Sequence, residues 1–300
     1  QETAKRAILI AVSGGHPILM IGSPGVGKSM LAERVPGIMP PLERDEIIES
    51  SLIHSISREM TDGKFTDTPP FRRPSVNISI PSLLGSGYPP NPGEITLAHR
   101  GVLFLEEINE MNRIAVDSLR VPLDRKCVCL NKRGEGFVYP ADFLLISCAN
   151  PCKCGYLYSR KKECTCTPGE ISAYKARLSG PISDRIDIHI CINEPDFDEL
   201  TVSDGMGSAE MRRKVLKVRK LQSKRYAREE FKLNSSIFDS KIVKYCSFDS
   251  DGEAFIKNAY KTLKLTPRSM VKIRKISRTI ADLDESKEIK LKHISEAIQF

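Results

Sequence analysis

The chain carries, from residue 18, the stretch Ile18-Leu19-Met20-Ile21-Gly22-Ser23-Pro24-Gly25-Val26-Gly27-Lys28-Ser29. An apolar run followed by such a glycine-rich loop is typical of a phosphate-binding loop between a strand and a helix. The glycines let backbone N–H groups point at phosphate oxygens, Lys28 places a charge at the β and γ phosphates, and Ser29 offers a hydroxyl to Mg²⁺. The stretch predicts ATP or GTP binding, and the alternative is an ordinary glycine turn.

The composition indicates a globular chain whose charge is unevenly distributed. The 300 residues are 40% hydrophobic, which is enough for a buried core in one large or two modest domains. The net charge is +8: residues 201–300 hold 23 Lys and Arg against 13 Asp and Glu, and residues 1–200 hold 23 against 25. A basic C-terminal module suits nucleic acid, although a solvated helical face explains many such runs.

Features of membrane and secreted proteins are absent from the sequence. No run approaches the roughly 18 apolar residues of a membrane span, and no signal-like apolar region follows Gln1. We therefore expect a cytoplasmic protein without a membrane partner. Because the chain starts with Gln1 rather than Met, we also expect it to be part of a longer protein.

Apolar runs alternate with helical or loop material, which is typical of a wound α/β domain. The predicted strands are Ile18 to Ile21, Val102 to Leu105, Phe143 to Ser147 and Ile186 to Ile192. We predict a three-layer α/β/α core over residues 1–197, with a Pro/Gly-rich insertion at 69–93, a hairpin around 131–134 and a Cys-rich loop at 151–168.

The last third of the chain is predicted to be a helical lid over residues 205–300. One helix has an apolar stripe with helical spacing, formed by Met211, Val215, Val218 and Leu221. Another begins at Thr266-Pro267, an N-cap residue followed by the residue favoured at the first helical position.

Two acids follow the apolar run Val102 to Leu105. A P-loop ATPase needs this arrangement, because the first carboxylate, here Glu106, holds the Mg²⁺ shell and the second, Glu107, polarises the attacking water. The alternative is a strand that simply ends in solvent. About 80 residues after a phosphate-binding loop, the pattern favours the catalytic interpretation.

Three further segments resemble the magnesium-chelatase-like AAA+ ATPases of the YifB/ComM family. They are Gly93-Glu94-Ile95-Thr96-Leu97-Ala98-His99-Arg100-Gly101-Val102-Leu103-Phe104-Leu105, Ala149-Asn150-Pro151-Cys152-Lys153-Cys154-Gly155 and Leu178-Ser179-Gly180-Pro181-Ile182-Ser183-Asp184-Arg185-Ile186-Asp187. The resemblance extends into the lid and covers essentially the whole chain. The resemblance does not include the family's usual N-terminal domain.

The resemblance implies a P-loop (AAA+) core, a homo-oligomeric ring such as a hexamer, and roles for three more residues. Asn150 matches the first sensor, which orients the lytic water; the alternative is a turn asparagine before proline. Arg185 matches the arginine finger, against a surface ion pair with Asp184 or Asp187. Arg268 matches the second sensor, against a solvated arginine.

The chain departs from the family pattern at two places. Glu106 stands where family members usually carry aspartate, and its extra methylene leads us to expect slower hydrolysis, because Mg²⁺ tolerates little displacement of its ligands. In the insertion, Phe71-Arg72-Arg73-Pro74-Ser75-Val76 replaces a stretch that commonly reads Phe-Arg-Ala-Pro-His-His. A role assigned to those histidines therefore does not transfer to this chain.

Four of the nine cysteines form the cluster Cys152, Cys154, Cys164 and Cys166. Four thiolates in one loop match a tetrahedral Zn²⁺ site, although C-x-C pairs are less common than C-x-x-C. Merely reduced and buried cysteines, or a redox-labile disulfide, are the alternatives.

The resemblance to ComM implies a DNA-directed motor that migrates branches, with ATP and Mg²⁺ as cofactors. The magnesium-chelatase side of the family implies a subunit that drives a protein partner instead. Glu106 motivates a third hypothesis, a nucleotide switch that hydrolyses ATP slowly.

Overall fold

A computed structural model describes residues 2–57, 67–178, 180–194 and 205–300. The chain divides into an α/β unit, residues 19–186 with the described residues from 191, and a helical unit, residues 2–18, 187–190 and 205–300. The predicted fold class is confirmed: a mixed α/β fold with a central parallel sheet and a helical C-terminal region. The predicted boundary between core and lid, at 197–205, lies outside the described residues except at its last position.

The central sheet is built from five strands, which include all four predicted runs. The strands are β1 (Ile18–Gly22), β2 (Phe71–Arg72), β5 (Val102–Leu105), β8 (Leu144–Ala149) and β9 (Ile188–Ile192). They lie in the order β2-β5-β8-β1-β9. The apolar run of β5 is fully buried, as expected for a parallel strand covered on both faces.

Two antiparallel hairpins extend from this sheet. They are β3 (Gly85–Gly87) with β4 (Pro90–Pro92), and β6 (Cys127–Lys132) with β7 (Glu135–Pro140). The second is the hairpin predicted around residues 131–134. The range 69–93, predicted as an insertion, also contains β2, which pairs with β5 as the edge strand of the main sheet.

Short helices complete the α/β unit. They are α2 (Lys28–Glu33), α3 (Arg44–Ile56), α4 (Ile80–Leu84), α5 (Glu94–Leu97), α6 (Arg113–Asp117), α7 (Arg120–Arg125), α8 (Pro168–Lys175), α9 (Gly180–Ser183) and the 3₁₀ turn Pro36–Ile38. The core between helices and sheet includes Leu103, Leu105, Leu145 and Ile182, all fully buried.

The helical unit contains α1 (Glu2–Gly14), α10 (Ser208–Arg225), α11 (Ile242–Tyr245), α12 (Ser250–Thr262), α13 (Pro267–Leu283), α14 (Leu291–Ile298) and the 3₁₀ turns Asn234–Ser236 and Asp239–Lys241. The predicted start of α13 is confirmed, because the Thr266 side chain accepts a hydrogen bond from the Ser269 N–H at 3.1 Å. Within the described residues, no helix is both long and apolar enough to cross a membrane.

The apolar stripe of α10 differs from the prediction at one position. Leu221 is exposed, whereas Gln222 is fully buried and donates its side-chain N–H to the Ser13 carbonyl at 2.9 Å. The amide thereby satisfies a carbonyl at the end of α1 that the helix itself leaves unpaired. An apolar residue at position 222 would leave that carbonyl without this donor.

A buried ion-pair network stabilises the helical unit around Asp282, whose side chain is inaccessible to solvent. Its carboxylate accepts two hydrogen bonds from Arg225, at 2.6 and 2.7 Å, and lies 3.0 Å from the Arg278 guanidinium. The side-chain amide of Asn234 donates to it at 3.0 Å. Charged groups of this kind are tolerated inside a protein only when they are paired in this way.

Candidate functional site

The predicted nucleotide-binding residues meet at the carboxyl edge of the central sheet. The phosphate-binding loop follows β1, Glu106 and Glu107 follow β5, and Asn150 follows β8. Because β8 lies between β5 and β1, the residue that leaves β8 stands between the loop and the two acids. Ligands of open α/β sheets bind at this edge.

The glycines of the loop have the backbone conformations that the motif requires. Gly25 and Gly27 have φ values of 80° and 91°, which side chains rarely adopt. A Cβ added at Gly22 would lie 2.5 Å from the Ile192 carbonyl oxygen. Gly22 therefore allows the close approach of β9, and Gly25 and Gly27 allow the tight turn of a phosphate-binding loop.

The Lys28 ammonium connects the loop to the neighbouring strand ends. Its Nζ donates to the carbonyl of Gly22 at 2.5 Å, to that of Ser23 at 2.9 Å and to Asn150 Oδ1 at 3.3 Å. The other end of the Asn150 amide donates to Glu107 Oε1 at 3.4 Å. Burial lowers the pKa of Lys28, and the nearby carboxylates of Glu106 and Glu107 oppose that shift.

Glu106 accepts hydrogen bonds from two side chains, the Ser29 hydroxyl and the Arg73 guanidinium. Burial favours its neutral form, but these hydrogen bonds and the positive charges of Arg73 and Lys28 outweigh burial and hold the pKa of Glu106 below its ordinary value. An ionised carboxylate beside a hydroxyl is a hard oxygen donor set of the kind that Mg²⁺ prefers. These residues therefore fit the predicted metal.

Glu107 has a strained backbone, with a φ of 49°. Non-glycine residues enter this region rarely, and when the surrounding structure holds them there they cluster at functional sites. The side chain of this strained residue accepts the hydrogen bond from the Asn150 amide.

Arg185, the predicted arginine finger, makes its ion pair with a residue that the sequence did not suggest. Its Nε and Nη2 donate to the two carboxylate oxygens of Asp124 at 2.8 and 2.5 Å, and its Nη1 donates to the Pro181 carbonyl at 2.7 Å. Asp187, one of the two partners in the alternative, has its carboxylate 2.9 Å from Nδ1 of His16.

Arg268, the predicted second sensor, lies exposed in the first turn of α13. It belongs to the helical unit, whereas the loop, both acids and Asn150 belong to the α/β unit.

The four cysteines of the predicted cluster converge, with all four sulfur atoms within 4.8 Å of one another. The Sγ of Cys152 lies 3.3 Å from that of Cys154 and 3.7 Å from that of Cys164, and the latter two are 3.5 Å apart. Zn–S bonds of about 2.3 Å in a tetrahedron place sulfurs roughly 3.8 Å apart, so the cluster fits Zn²⁺. All four cysteines are free thiols in this structure.

The cysteine loop packs directly on the phosphate-binding loop. Gly155 has a φ of 85°, and a Cβ added to it would lie 2.7 Å from Cδ and 2.9 Å from Cγ of Pro24. The same loop begins at Pro151, directly after Asn150. The cysteine cluster is thus connected to the candidate phosphate site in two ways: by the covalent chain to Asn150 and by the packing of Gly155 on Pro24.

Arg73 is the site residue that the sequence analysis missed. It follows β2, a strand of two residues that is too short to show a periodic pattern. The one available signal was its difference from the family pattern, which has alanine there.

Two family models together match nearly the whole chain. The model described as magnesium chelatase, subunit ChlI, matches residues 1–200, and the model for the C-terminal part of that subunit matches residues 205–300. The chain belongs to this family. The family has the AAA+ P-loop fold, and the chain is of the AAA+ ATPase type.

Curated relatives agree with this family. The chain is 37% identical over its full length to YifB of Salmonella typhimurium and 37% identical to the competence protein ComM of Haemophilus influenzae. It covers 58% of the length of each of these relatives. The magnesium-chelatase subunit ChlI of Bigelowiella natans is 23% identical over half of the chain and 48% of its own length. The predicted resemblance is thereby confirmed.

Proposed function

We propose that this chain binds Mg²⁺-ATP and hydrolyses it as the motor of a ring that remodels branched DNA. The ATPase proposal rests on two hydrogen bonds that share Asn150, one from Lys28 and one to Glu107. They join a phosphate-binding cation, an amide and a carboxylate, the three groups that hydrolysis of a phosphoanhydride needs.

Each residue of the edge has one task in this proposal. The segment Gly22 to Ser29 binds the phosphates through backbone N–H groups and the Lys28 ammonium. Ser29 and Glu106 hold Mg²⁺, which neutralises phosphate charge when bound. Glu107 accepts a proton from the attacking water, and Asn150 orients that water while it holds the Glu107 carboxylate in place.

The ring follows from the role proposed for Arg185. An arginine finger stabilises the charge that develops on the γ-phosphate of a neighbouring subunit. Arg185 must then exchange Asp124 for the neighbour's phosphate when subunits assemble. Arg268 is proposed to couple the nucleotide state to the helical unit. A hexamer is expected, with a mass six times 33.5 kDa.

DNA is proposed as the polymer because of the basic face of α10. Several of its cationic side chains are exposed: Arg212, Arg213, Lys217, Lys220 and Lys224. Their positive charge complements a phosphate backbone. Binding of this kind releases counterions from the nucleic acid, and it weakens steeply with rising salt because that release then contributes less free energy.

Zn²⁺ is proposed as a structural ion of the cysteine cluster. Cys152 is buried and the other three cysteines are partly buried, so the bound ion would be largely closed off by protein. A closed shell of four thiolates supplies folding free energy rather than catalysis. The ion would therefore fix the loop between Asn150 and α8.

A second candidate function, driving a protein partner, is favoured by the match to the ChlI subunit over most of the chain.

A third candidate function, a nucleotide switch that hydrolyses ATP slowly, rests on Glu106. The Glu106→Asp substitution is expected to raise turnover if the longer side chain misplaces Mg²⁺. Turnover that falls instead removes the motivation for the switch.

ATP turnover with branched, single-stranded and duplex DNA over a salt series tests the main proposal. We expect stimulation by branched DNA at low salt and its loss as salt rises. Lys220→Glu and Lys224→Glu should weaken stimulation, whereas Lys257→Glu, the same charge change on an exposed position of α12, should leave it intact. Stimulation by a protein but not by DNA supports the second candidate and contradicts DNA as the substrate.

A further inference from the structure

Arg73 lies beside the two acids because of the register between the edge strand and β5. Arg72 pairs with Leu103, so the next residue, Arg73, leaves β2 at the same sheet edge as Glu106. Its guanidinium lies over the Phe104 ring, 5.6 Å from the ring centre. At this distance the positive guanidinium is attracted by the ring face while its N–H groups remain available to donate hydrogen bonds.

The two ends of this fork bind two different carboxylates. Nη2 donates to Glu106, and Nη1 donates to Oε1 of Glu33 at 2.5 Å. Glu33 is the last residue of α2, the helix that begins with Lys28. Arg73 therefore connects the proposed Mg²⁺ ligand to the far end of the helix that follows the phosphate-binding loop.

We propose that Arg73 competes with Mg²⁺ for the Glu106 carboxylate and thereby sets the Mg²⁺ concentration at which the chain binds ATP tightly. The inference rests on the proposed ATP site. Glu106 accepts hydrogen bonds from Ser29 on one oxygen and from Arg73 on the other. Each oxygen keeps a further lone pair, but the Arg73 guanidinium offsets the negative charge of the carboxylate and fixes its orientation. Mg²⁺, which demands near-ideal octahedral geometry, therefore competes with Arg73 for this group.

Glu33 is the residue that holds Arg73 when Glu106 turns to the metal. The Arg73 side chain is 42% exposed and that of Glu33 is 51% exposed, so the pair reorients without disturbing the core. Arg73 thus has two carboxylate partners: Glu106, for which Mg²⁺ competes, and Glu33, for which it does not. Arg73 and Glu106, which both differ from the family pattern, are in direct contact.

The test measures binding of a fluorescent ATP analogue against Mg²⁺ concentration, in a Glu107→Gln background that prevents hydrolysis. Arg73→Ala is expected to lower the half-saturating Mg²⁺ concentration about two- to fivefold, the range for partly exposed ion pairs. Glu33→Gln is expected to raise it, because Arg73 then depends on Glu106 alone. In EDTA, both variants should bind the analogue as the parent does.

Three controls separate the effect of direct contact from that of long-range charge. In the Arg73→Ala background, Glu33→Gln should have no further effect, whereas simple charge effects would add. Arg73→Lys keeps the charge and loses the fork, so its half-saturating concentration should lie between those of the parent and Arg73→Ala. Arg120→Ala removes a comparably exposed, ion-paired arginine and should leave the Mg²⁺ dependence unchanged.

An unchanged or higher Mg²⁺ requirement in Arg73→Ala overturns the proposal, as does additivity in the double variant. Weaker binding of the analogue to Arg73→Ala in EDTA also overturns it, since Arg73 would then hold phosphate rather than Glu106. A parent chain that binds no analogue at any Mg²⁺ concentration refutes the ATP site itself, a separate failure.

Discussion

Gly155→Ala is expected to displace the phosphate-binding loop, although Gly155 itself lies in the cysteine loop. Gly155 has a φ of 85°, where an alanine costs about 1–2 kcal/mol in any surroundings. The added Cβ also meets Cδ of Pro24 at 2.7 Å, whereas ordinary contact begins at 3.4 Å. Because a proline ring is stiff, the contact pushes the backbone of the loop rather than a flexible side chain.

Gly134→Ala is the matched control for this substitution. Gly134 has a φ of 84°, and a Cβ added there meets no atom within 4 Å. Both variants should therefore lose at least about 1–2 kcal/mol of unfolding free energy from the backbone conformation alone, which urea titration measures. Only Gly155→Ala should also lose ATP affinity, by about tenfold, equivalent to about 1.4 kcal/mol of binding free energy.

Titration with a fluorescent ATP analogue at saturating Mg²⁺ distinguishes the two variants. Wild-type ATP affinity in Gly155→Ala would refute the prediction, because the contact with Pro24 would then not affect phosphate binding by the loop. An equal loss of affinity in both variants would also refute it, because backbone strain alone would then account for the effect.

The remaining predictions concern the site, the ring, the metal and the helical unit. Lys28→Ala should lose ATP binding, while Glu107→Gln should keep binding and lose phosphate release; equal affinity in wild type and Lys28→Ala contradicts the site. Arg185→Ala should keep ATP affinity and lose turnover by roughly 10³- to 10⁵-fold, and mixing it with Glu107→Gln should restore part of the activity. A mixture that stays inactive although mass measurements find mixed oligomers refutes an arginine finger acting between subunits. Metal analysis of reduced protein should find about one Zn²⁺ per chain, released by Cys152→Ser; freshly prepared protein without zinc contradicts the cluster. Asp282→Ala should destabilise the chain by about 3–5 kcal/mol in urea unfolding, because two guanidinium groups lose their buried partner, and a loss below about 1 kcal/mol argues against the network.

The sequence by itself determined the features that depend on neighbours along the chain. The phosphate-binding loop is one of them, because glycine conformations, the Lys28 charge and the start of α2 all belong to one continuous segment. The apolar runs predicted four strands of the sheet, and the short spacing of the cysteines was enough to predict their convergence.

Only the tertiary structure decided which distant residues meet. The order β5-β8-β1 places Asn150 between Lys28 and Glu107, and no periodic pattern records the order of strands in a sheet. The contact of Arg73 with Glu106 needs a two-residue edge strand whose pairing is set by β5. Likewise, Arg185 pairs with Asp124, 61 residues away along the chain. Such contacts depend on how the whole chain folds back on itself, because local propensity fixes the elements but not the register and neighbours that bring their ends together.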